Sequence, residues 1–236
     1  MYPLLSGYRA LLLDMHCTFM FEIDRFGPEQ DYAATYQRLG GSRLAPAVVN
    51  QLLSDWFAIL IRRYEDELYE DCFPSLSELL REVTPLPEPE MQLLEAVFAH
   101  HERGVVPTAH ARTILQLARH FPLAIVSNLW APSHYWHQPL QQSGLWDCFS
   151  ARVFSSDSRY IKPHPNLFLQ ALEQLDVAPH QALMIGDSFS RDVQGAARAG
   201  IDAIWIDAAA WLRGDCPPPA KAVIPELPWL LRSSTT

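Results

Sequence analysis

The 236 residues carry 27 Asp and Glu against 18 Lys and Arg, a formal charge of -9, and 49% of them are apolar. That length and apolar content suit one large globular domain or a core with an insertion, while the acidic balance argues against binding nucleic-acid phosphates through a Lys/Arg surface. No apolar run approaches a membrane span and Asp14 interrupts the N-terminal apolar stretch; Cys17, Cys72, Cys148 and Cys216 form no C-x-x-C pair, so unpaired, buried thiols and a cytoplasmic location are expected.

The first element in chain order is a strand over Ala10 to Leu13, an unbroken apolar run of the kind buried on both faces of a parallel sheet. From about Phe19 to Gly104 the pattern turns helical, with amphipathic stretches at Asp31 to Leu39, Ala47 to Tyr64, Ser75 to Glu82 and Pro89 to His101. Pro85, Pro87 and Pro89 punctuate it, Gly27-Pro28 marks its entrance and Gly104 to Pro107 its exit, so four short helices are expected after the first strand. Strands at Leu123 to Val126, Arg152 to Phe154, Ala182 to Ile185 and Ala203 to Ile206 then alternate with helices at Ala109 to His120, Asn166 to Leu175 and Arg191 to Ala199. Such alternation predicts an α/β fold, a Rossmann-like, doubly wound parallel sheet with helices on both faces. Its core would comprise residues 1–18 and 105–236, with residues 19–104 as an inserted helical cap. The tail, broken by Pro217-Pro218-Pro219, Pro225 and Pro228, is expected to lie over the core as an extended segment held by Trp211, Trp229 and Leu230.

Four segments place polar groups just after predicted strands, where open α/β sheets build their sites. They are Asp14, Ser127-Asn128, Lys162 in Tyr160-Ile161-Lys162-Pro163, and Gly186-Asp187-Ser188, with Asp192 on the helix that follows. The run Leu11-Leu12-Leu13-Asp14-Met15-His16-Cys17-Thr18, the segment Lys162-Pro163-His164-Pro165 and the stretch Gly186 to Ala196 together resemble the haloacid dehalogenase-like hydrolases, of the kind with a helical cap inserted after the first strand.

That resemblance implies hydrolysis of a small phosphorylated metabolite through an aspartyl-phosphate on Asp14, which divides one difficult displacement into two. It further implies Mg2+ held by Asp14, Asp187 and the backbone carbonyl of His16, with Lys162 as a fixed cation beside the phosphoryl group. Ser127 would donate its hydroxyl to a phosphoryl oxygen, and Asn128 its backbone amide near a helix start. Thr18, Ser188 and Asp192 would orient Lys162 or the waters around the metal rather than touch it. Nucleic acid and membrane are not expected partners, and the oligomeric state is left open.

The departure from the family pattern lies at His16 and Cys17, where similar loops carry a second Asp and a Gly. In family phosphatases that Asp protonates the leaving alcohol and later takes a proton from water, a contribution of about two to four orders of magnitude. His16 can replace it, since imidazole titrates near neutrality; it can serve as a substrate or metal-shell contact; or it marks a weakened site. A metal-independent haloacid dehalogenase, with Arg25 as one candidate cradle for halide, is an alternative. A phosphometabolite- or protein-binding module that has lost turnover is another. Phe19, Phe21, Asp24, Arg25 and Phe26 lie at the cap entrance, and Trp56, Tyr64 and Tyr69 within the cap, as candidate pocket residues for which packing is the default.

Overall fold

The computed structural model describes residues 3–84 and 86–232, so Pro85 lies outside the described residues. Among the described residues, β1 (Ala10–Leu13), β2 (Leu123–Ser127), β3 (Phe149–Phe154), β4 (Ala182–Gly186), β5 (Asp202–Ile206) and β6 (Ala222–Ile224) form one parallel sheet in the order β3-β2-β1-β4-β5-β6. The chain runs outward from β1 through β2 to β3, then returns to the other side of β1 and builds β4, β5 and β6. The crevice beyond the ends of β1 and β4 is therefore the switch point at which such sheets bind ligands. Leu13 pairs with both Ile125 and Ile185, which brings Asp14, Ser127 and Asp187 out at one edge of the sheet.

Both faces are buried, which explains the continuous apolar runs. Leu11 and Leu13, Leu123 and Ile125, and Leu183 and Ile185 point into one apolar cluster. The alternate residues Leu12, Ala124, Val126 and Met184 meet Leu167, Phe168 and Ala196 on the other face. α7 (Asn166–Leu175) and α8 (Gln194–Arg198) cover the second face, and α5 (Thr108–Leu117) contributes Ile114 and Leu117 to the first.

Between β1 and α5 lie α1 (Tyr32–Arg38), α2 (Pro46–Glu65), α3 (Leu76–Val83) and α4 (Glu88–Glu102). Each coincides with an expected helix to within a residue or so, and the starts follow local chemistry. Asp31 accepts from the Ala34 amide at the start of α1, Pro46 opens α2, and Ser75 with Glu78 forms a reciprocal cap on α3. α2 is not short: its 20 residues are held by the buried row Val49, Leu53, Trp56 and Leu60. These helices have no separate core, because Trp56, Leu94 and Phe98 belong to the same apolar cluster as Leu11 and Leu13.

Several expectations are corrected. β3 begins at Phe149 rather than Arg152, as an edge strand in which buried Phe149, Ala151 and Val153 alternate with more accessible Ser150 and Arg152. The tail contains β6, which pairs with β5 as the opposite edge, instead of being wholly extended over the core. Leu230 is buried and Trp229 packs on the main cluster, but Trp211 is exposed on α9 (Ala208–Arg213) and pins nothing. α6 (His137–Gln142) and α9 were not anticipated. The four cysteines are free, yet none is buried: Cys17, Cys72 and Cys216 are exposed and Cys148 half-buried. Among the described residues no helix is long and apolar enough to cross a membrane.

Candidate active site

Asp14 follows β1 directly, its amide donating to the Ile185 carbonyl at 3.0 Å and its side chain nearly buried. The chain then folds back in a tight turn, in which Phe19 and Met20 both donate to the Met15 carbonyl and Cys17 to the Met20 carbonyl. Cys17 sits in this turn with φ +56, a left-handed conformation that a glycine adopts without strain. The turn presents the Thr18 hydroxyl to two carboxylates, 3.4 Å from Asp14 Oδ2 and 3.2 Å from Asp187 Oδ1.

The Lys162 ammonium is buried between two carboxylates, 2.6 Å from Asp14 Oδ1 and 2.6 Å from Asp192 Oδ1. Burial alone lowers the pKa of an ammonium, but Asp14 and Asp192 outweigh it and raise that of Lys162, so it stays charged. Its backbone is equally fixed. The Asn128 side chain accepts from the Lys162 amide at 2.8 Å and donates to the Lys162 carbonyl at 3.2 Å, and Arg191 donates to the same carbonyl. Asn128 thus clamps Lys162, and the expected helix start beside it is absent: the first helical turn after β2 begins at Ser133.

Asp192 reaches Lys162 through an unusual backbone. Phe189–Val193 is a π-helical turn, with the Val193 amide donating to the Ser188 carbonyl five residues back at 3.3 Å. This turns the Asp192 carboxylate onto Lys162 through one oxygen and onto the Ser188 amide, at 2.9 Å, through the other. Gly186 makes room for it, since a Cβ there would stand 2.3 Å from Asp192 Oδ2.

Carboxylate oxygens of Asp14, Asp187 and Asp192 all lie within 4.8 Å of one another. Burial first, then the charges of Asp14 and Asp192, push Asp187 up to about 8, and burial pushes Asp192 to about 6. Three acids share one lysine, so the cluster lacks positive charge. Oxygen donors with a deficit of that kind suit a hard divalent cation. Asp192 has both oxygens in short contacts, with Lys162 and the Ser188 amide, whereas Asp14 Oδ2 and Asp187 Oδ1 meet only the Thr18 hydroxyl at 3.4 and 3.2 Å, so among the described residues Asp14 and Asp187 are the carboxylates more open to one.

These groups line a cavity of about 260 Å³ between the sheet edge and the ends of α2 and α4. Ser127 Oγ and His16 Nε2 also line it, are buried, and have no hydrogen-bond partner among the described residues. Leaving a buried hydroxyl unsatisfied costs about 1–3 kcal/mol, so two such atoms facing one cavity mark it as a ligand site. Burial and the Lys162 charge, against the opposing pull of Asp14, lower His16 to about 4, so its ring is neutral at neutral pH. Burial, then the charges of Asp187, Asp14 and Asp24, push the Cys17 thiol up to about 11, the opposite of what activates a thiolate.

All the residues singled out from the strand ends therefore meet: Asp14, Ser127, Asn128, Lys162, Asp187, Ser188 and Asp192 line one cavity, with Thr18 behind them. The entrance residues divide. Asp24 lines the cavity, whereas Phe19 stacks on Phe149, Phe21 meets His110 edge-on, and Phe26 stacks on Phe57 and packs against Phe98. Arg25 spends its guanidinium on the carbonyls of Glu22, His100 and Arg103, so it cradles nothing in the cavity. Tyr64 reaches the site and Trp56 and Tyr69 do not. Sequence reasoning missed Glu102, Trp130 and Arg191 as lining residues. Arg191 lies over the Tyr64 ring at 3.7 Å, and its place in the Gly186 to Ala196 stretch was the one available signal.

A parallel α/β sheet with a carboxylate-lysine-carboxylate edge beneath inserted helices defines a hydrolase class. The family model of the haloacid dehalogenase-like hydrolases matches residues 49–206, and the chain belongs to that family. It is 35% identical over 131 residues to a phosphoserine phosphatase of Thermus thermophilus, covering 55% of this chain and 52% of that protein. The chain spans only about half to two thirds of the length of the curated relatives it matches. Among solved structures it is similar to a phosphatase of the same superfamily from Thermococcus onnurineus, with TM-score 0.58, 27% identity and 93% and 94% of the two chains covered. A 2-haloacid dehalogenase of Pseudomonas syringae shares the fold at TM-score 0.62 and 21% identity, covering 94% and 96%.

Proposed function

We propose that the chain hydrolyses a small phosphorylated metabolite through covalent transfer of the phosphoryl group to Asp14, with Mg2+ as cofactor. The observation that carries this reading is the cavity in which Asp14, the Lys162 ammonium and the unsatisfied Ser127 hydroxyl converge beside Asp187. An Asp14 oxygen forms a bond to phosphorus as the bond to the leaving oxygen breaks; water then attacks phosphorus and frees the carboxylate. Lys162 and Ser127 hold the phosphoryl oxygens against the charge of the nucleophile. Asp14 and Asp187, with the His16 carbonyl, would hold Mg2+, whose charge neutralises phosphoryl oxygens and aligns the attack. Asp192, Asn128 and Arg191 position Lys162, and Thr18 and Ser188 position the carboxylates.

His16 acts from its neutral form. A neutral imidazole accepts a proton from the attacking water but is a poor proton donor to the leaving oxygen. Acyl and aryl phosphates, whose leaving groups need no proton, are accordingly the preferred substrates over alkyl esters. Residues 1–18 and 105–236 act as the catalytic core and residues 19–104 as a helical cap, whose Asp24, Ile61, Tyr64 and Glu102 close the cavity over the sheet edge.

Against a halide-releasing reading stand Asp187 and Asp192, two extra carboxylates beside the nucleophile that repel a departing halide, and the engagement of Arg25 elsewhere. The test is phosphate release from an aryl phosphate, with and without Mg2+, by the native protein, Asp14→Asn and Asp187→Asn. Mg2+-dependent release that falls at least about 10³-fold in both variants is expected. Metal-independent release of halide from a short halo-acid, without phosphate release, would overturn the reading.

A further inference from the structure

The helical side of the cavity is fastened to the loop that carries Lys162. Tyr64 is the penultimate residue of α2, and the last carbonyls of a helix find no partner within it. Arg191 donates one guanidinium nitrogen to the Tyr64 carbonyl and another to the Lys162 carbonyl, and its guanidinium carbon stands 3.7 Å from the centre of the Tyr64 ring. The Asn128 side chain donates to the Tyr64 hydroxyl at 3.0 Å, and the same side chain donates to the Lys162 carbonyl and accepts from the Lys162 amide. Among the described residues, the two side chains that grip the Lys162 backbone both grip Tyr64 as well.

Beyond α2 the chain keeps to the same loop. The Ile161 amide donates to the Glu70 carbonyl at 3.1 Å and the Phe73 amide to the Arg159 carbonyl at 2.7 Å, so the backbones of residues 70–73 and 159–161 are joined at two points. Ion pairs at the rim, Arg198 with Glu70 at 3.1 Å and Arg159 with Glu78 at 3.6 Å, are largely solvated and worth little by themselves. The consequence falls on Lys162. Asp14 and Asp192 fix its ammonium, but the direction from which that ammonium arrives is set by a backbone that Asn128 and Arg191 frame. When α2 lifts, both framing side chains lose a partner at once, and a misplacement of about 1 Å in a reacting group costs roughly 10²-fold in rate.

We propose that Tyr64 is a positioning residue for phosphoryl transfer: through Asn128 and Arg191 it holds Lys162 in place beside Asp14, so that the site is assembled only while α2 is seated on the sheet edge. This rests on the phosphohydrolase reading and names what governs the same site. Tyr64 takes part in no bond making. Its hydroxyl gives Asn128 a further acceptor, and its ring and carbonyl give Arg191 a surface to lie against. Exclusion of water and placement of the cation are thereby coupled, because a residue that closes the cavity also frames Lys162.

The test compares the native protein, Tyr64→Phe, Asn128→Ala and the double variant on phenyl phosphate and acetyl phosphate with Mg2+. Phe keeps the ring and carbonyl for Arg191 and removes the hydroxyl alone. In Tyr64→Phe kcat is expected to fall about 2- to 10-fold, the worth of one hydrogen bond. The factor should be the same for both substrates, with KM within about twofold of native, because the change acts through Lys162 and the phosphoryl group that the substrates share. Added to Asn128→Ala, Tyr64→Phe should cost less than about 1.5-fold, since the bond it removes is already gone. An unchanged kcat, a change confined to KM, a loss that differs more than about threefold between the two substrates, or losses that multiply in the double variant overturns this inference alone. The first three are read on Tyr64→Phe and need no other variant to fold. Failure of the native protein on both substrates and on every other phosphate ester overturns the phosphohydrolase reading and this inference with it.

Discussion

The two walls of the cavity are both acidic and are built oppositely. At the sheet edge the polar groups are mostly paired: Lys162 answers Asp14 and Asp192, Ser188 answers Asp192, and Asn128 and Arg191 hold Lys162 by its backbone. On the helical side, among the described residues, Asp24 is exposed with no side-chain hydrogen bond, and Glu102 is buried and held by two backbone amides without an ion pair. Preorganised charge is what a reacting centre requires, because dipoles fixed beforehand need not reorganise as charge moves.

The largest effect expected from disturbing the first wall is that of Lys162→Met. It leaves two buried carboxylates facing each other and should lower stability by about 3–5 kcal/mol in urea unfolding, besides abolishing phosphate release. A loss under about 1 kcal/mol would mean that the triad is not the preorganised element described. Gly186→Ala is the subtler disturbance, because its Cβ would enter the space of Asp192 Oδ2 and push that carboxylate off Lys162. About 1–3 kcal/mol of overpacking and a fall in kcat of at least roughly tenfold are expected; unchanged kinetics would detach Asp192 from the work of Lys162.

The second wall should respond to pH with the opposite sign to an ordinary ion pair. Asp24 is raised from the usual carboxylate range to about 7, so between pH 4 and 7 the folded state binds more protons than the unfolded state. Its contribution therefore becomes steadily less favourable as pH rises through that window. Asp24→Asn should accordingly raise the thermal midpoint at pH 8 and leave it nearly unchanged at pH 4. An equal effect at both values would show that the acid is not strained by its surroundings. The smallest effect is expected at Cys17, where Gly relieves the left-handed backbone: Cys17→Gly should stabilise by about 1 kcal/mol, read as a shift in denaturation midpoint. A loss of stability would mean that the Cys side chain packs usefully in the turn.

What the sequence makes legible follows the same division. Asp14, Ser127, Lys162 and Asp187 are readable because a strand end fixes a side chain's position with respect to the sheet, and three of the four stand directly after apolar runs. The helices from α1 to α4 are readable from their period and caps. Glu102 is not, since its place in the cavity depends on where the end of α4 meets the loop after β2, a tertiary relation with no local pattern. The π-helical turn at Phe189–Val193 is hidden for a related reason: the stretch reads as ordinary helix, and its tertiary setting, with Asp192 lying against Gly186, has no local pattern. β6 escaped because three residues among prolines carry too little period to register as a strand.

The covalent role of Asp14 is tested most directly by acid-quenching the native protein during turnover of an aryl phosphate with Mg2+ and mapping its peptides by mass spectrometry. A phosphate adduct on Asp14, absent from Asp14→Asn and absent without Mg2+, is the expected result. Undiminished phosphate release with no adduct at any quench time, retained in Asp14→Asn, would contradict it.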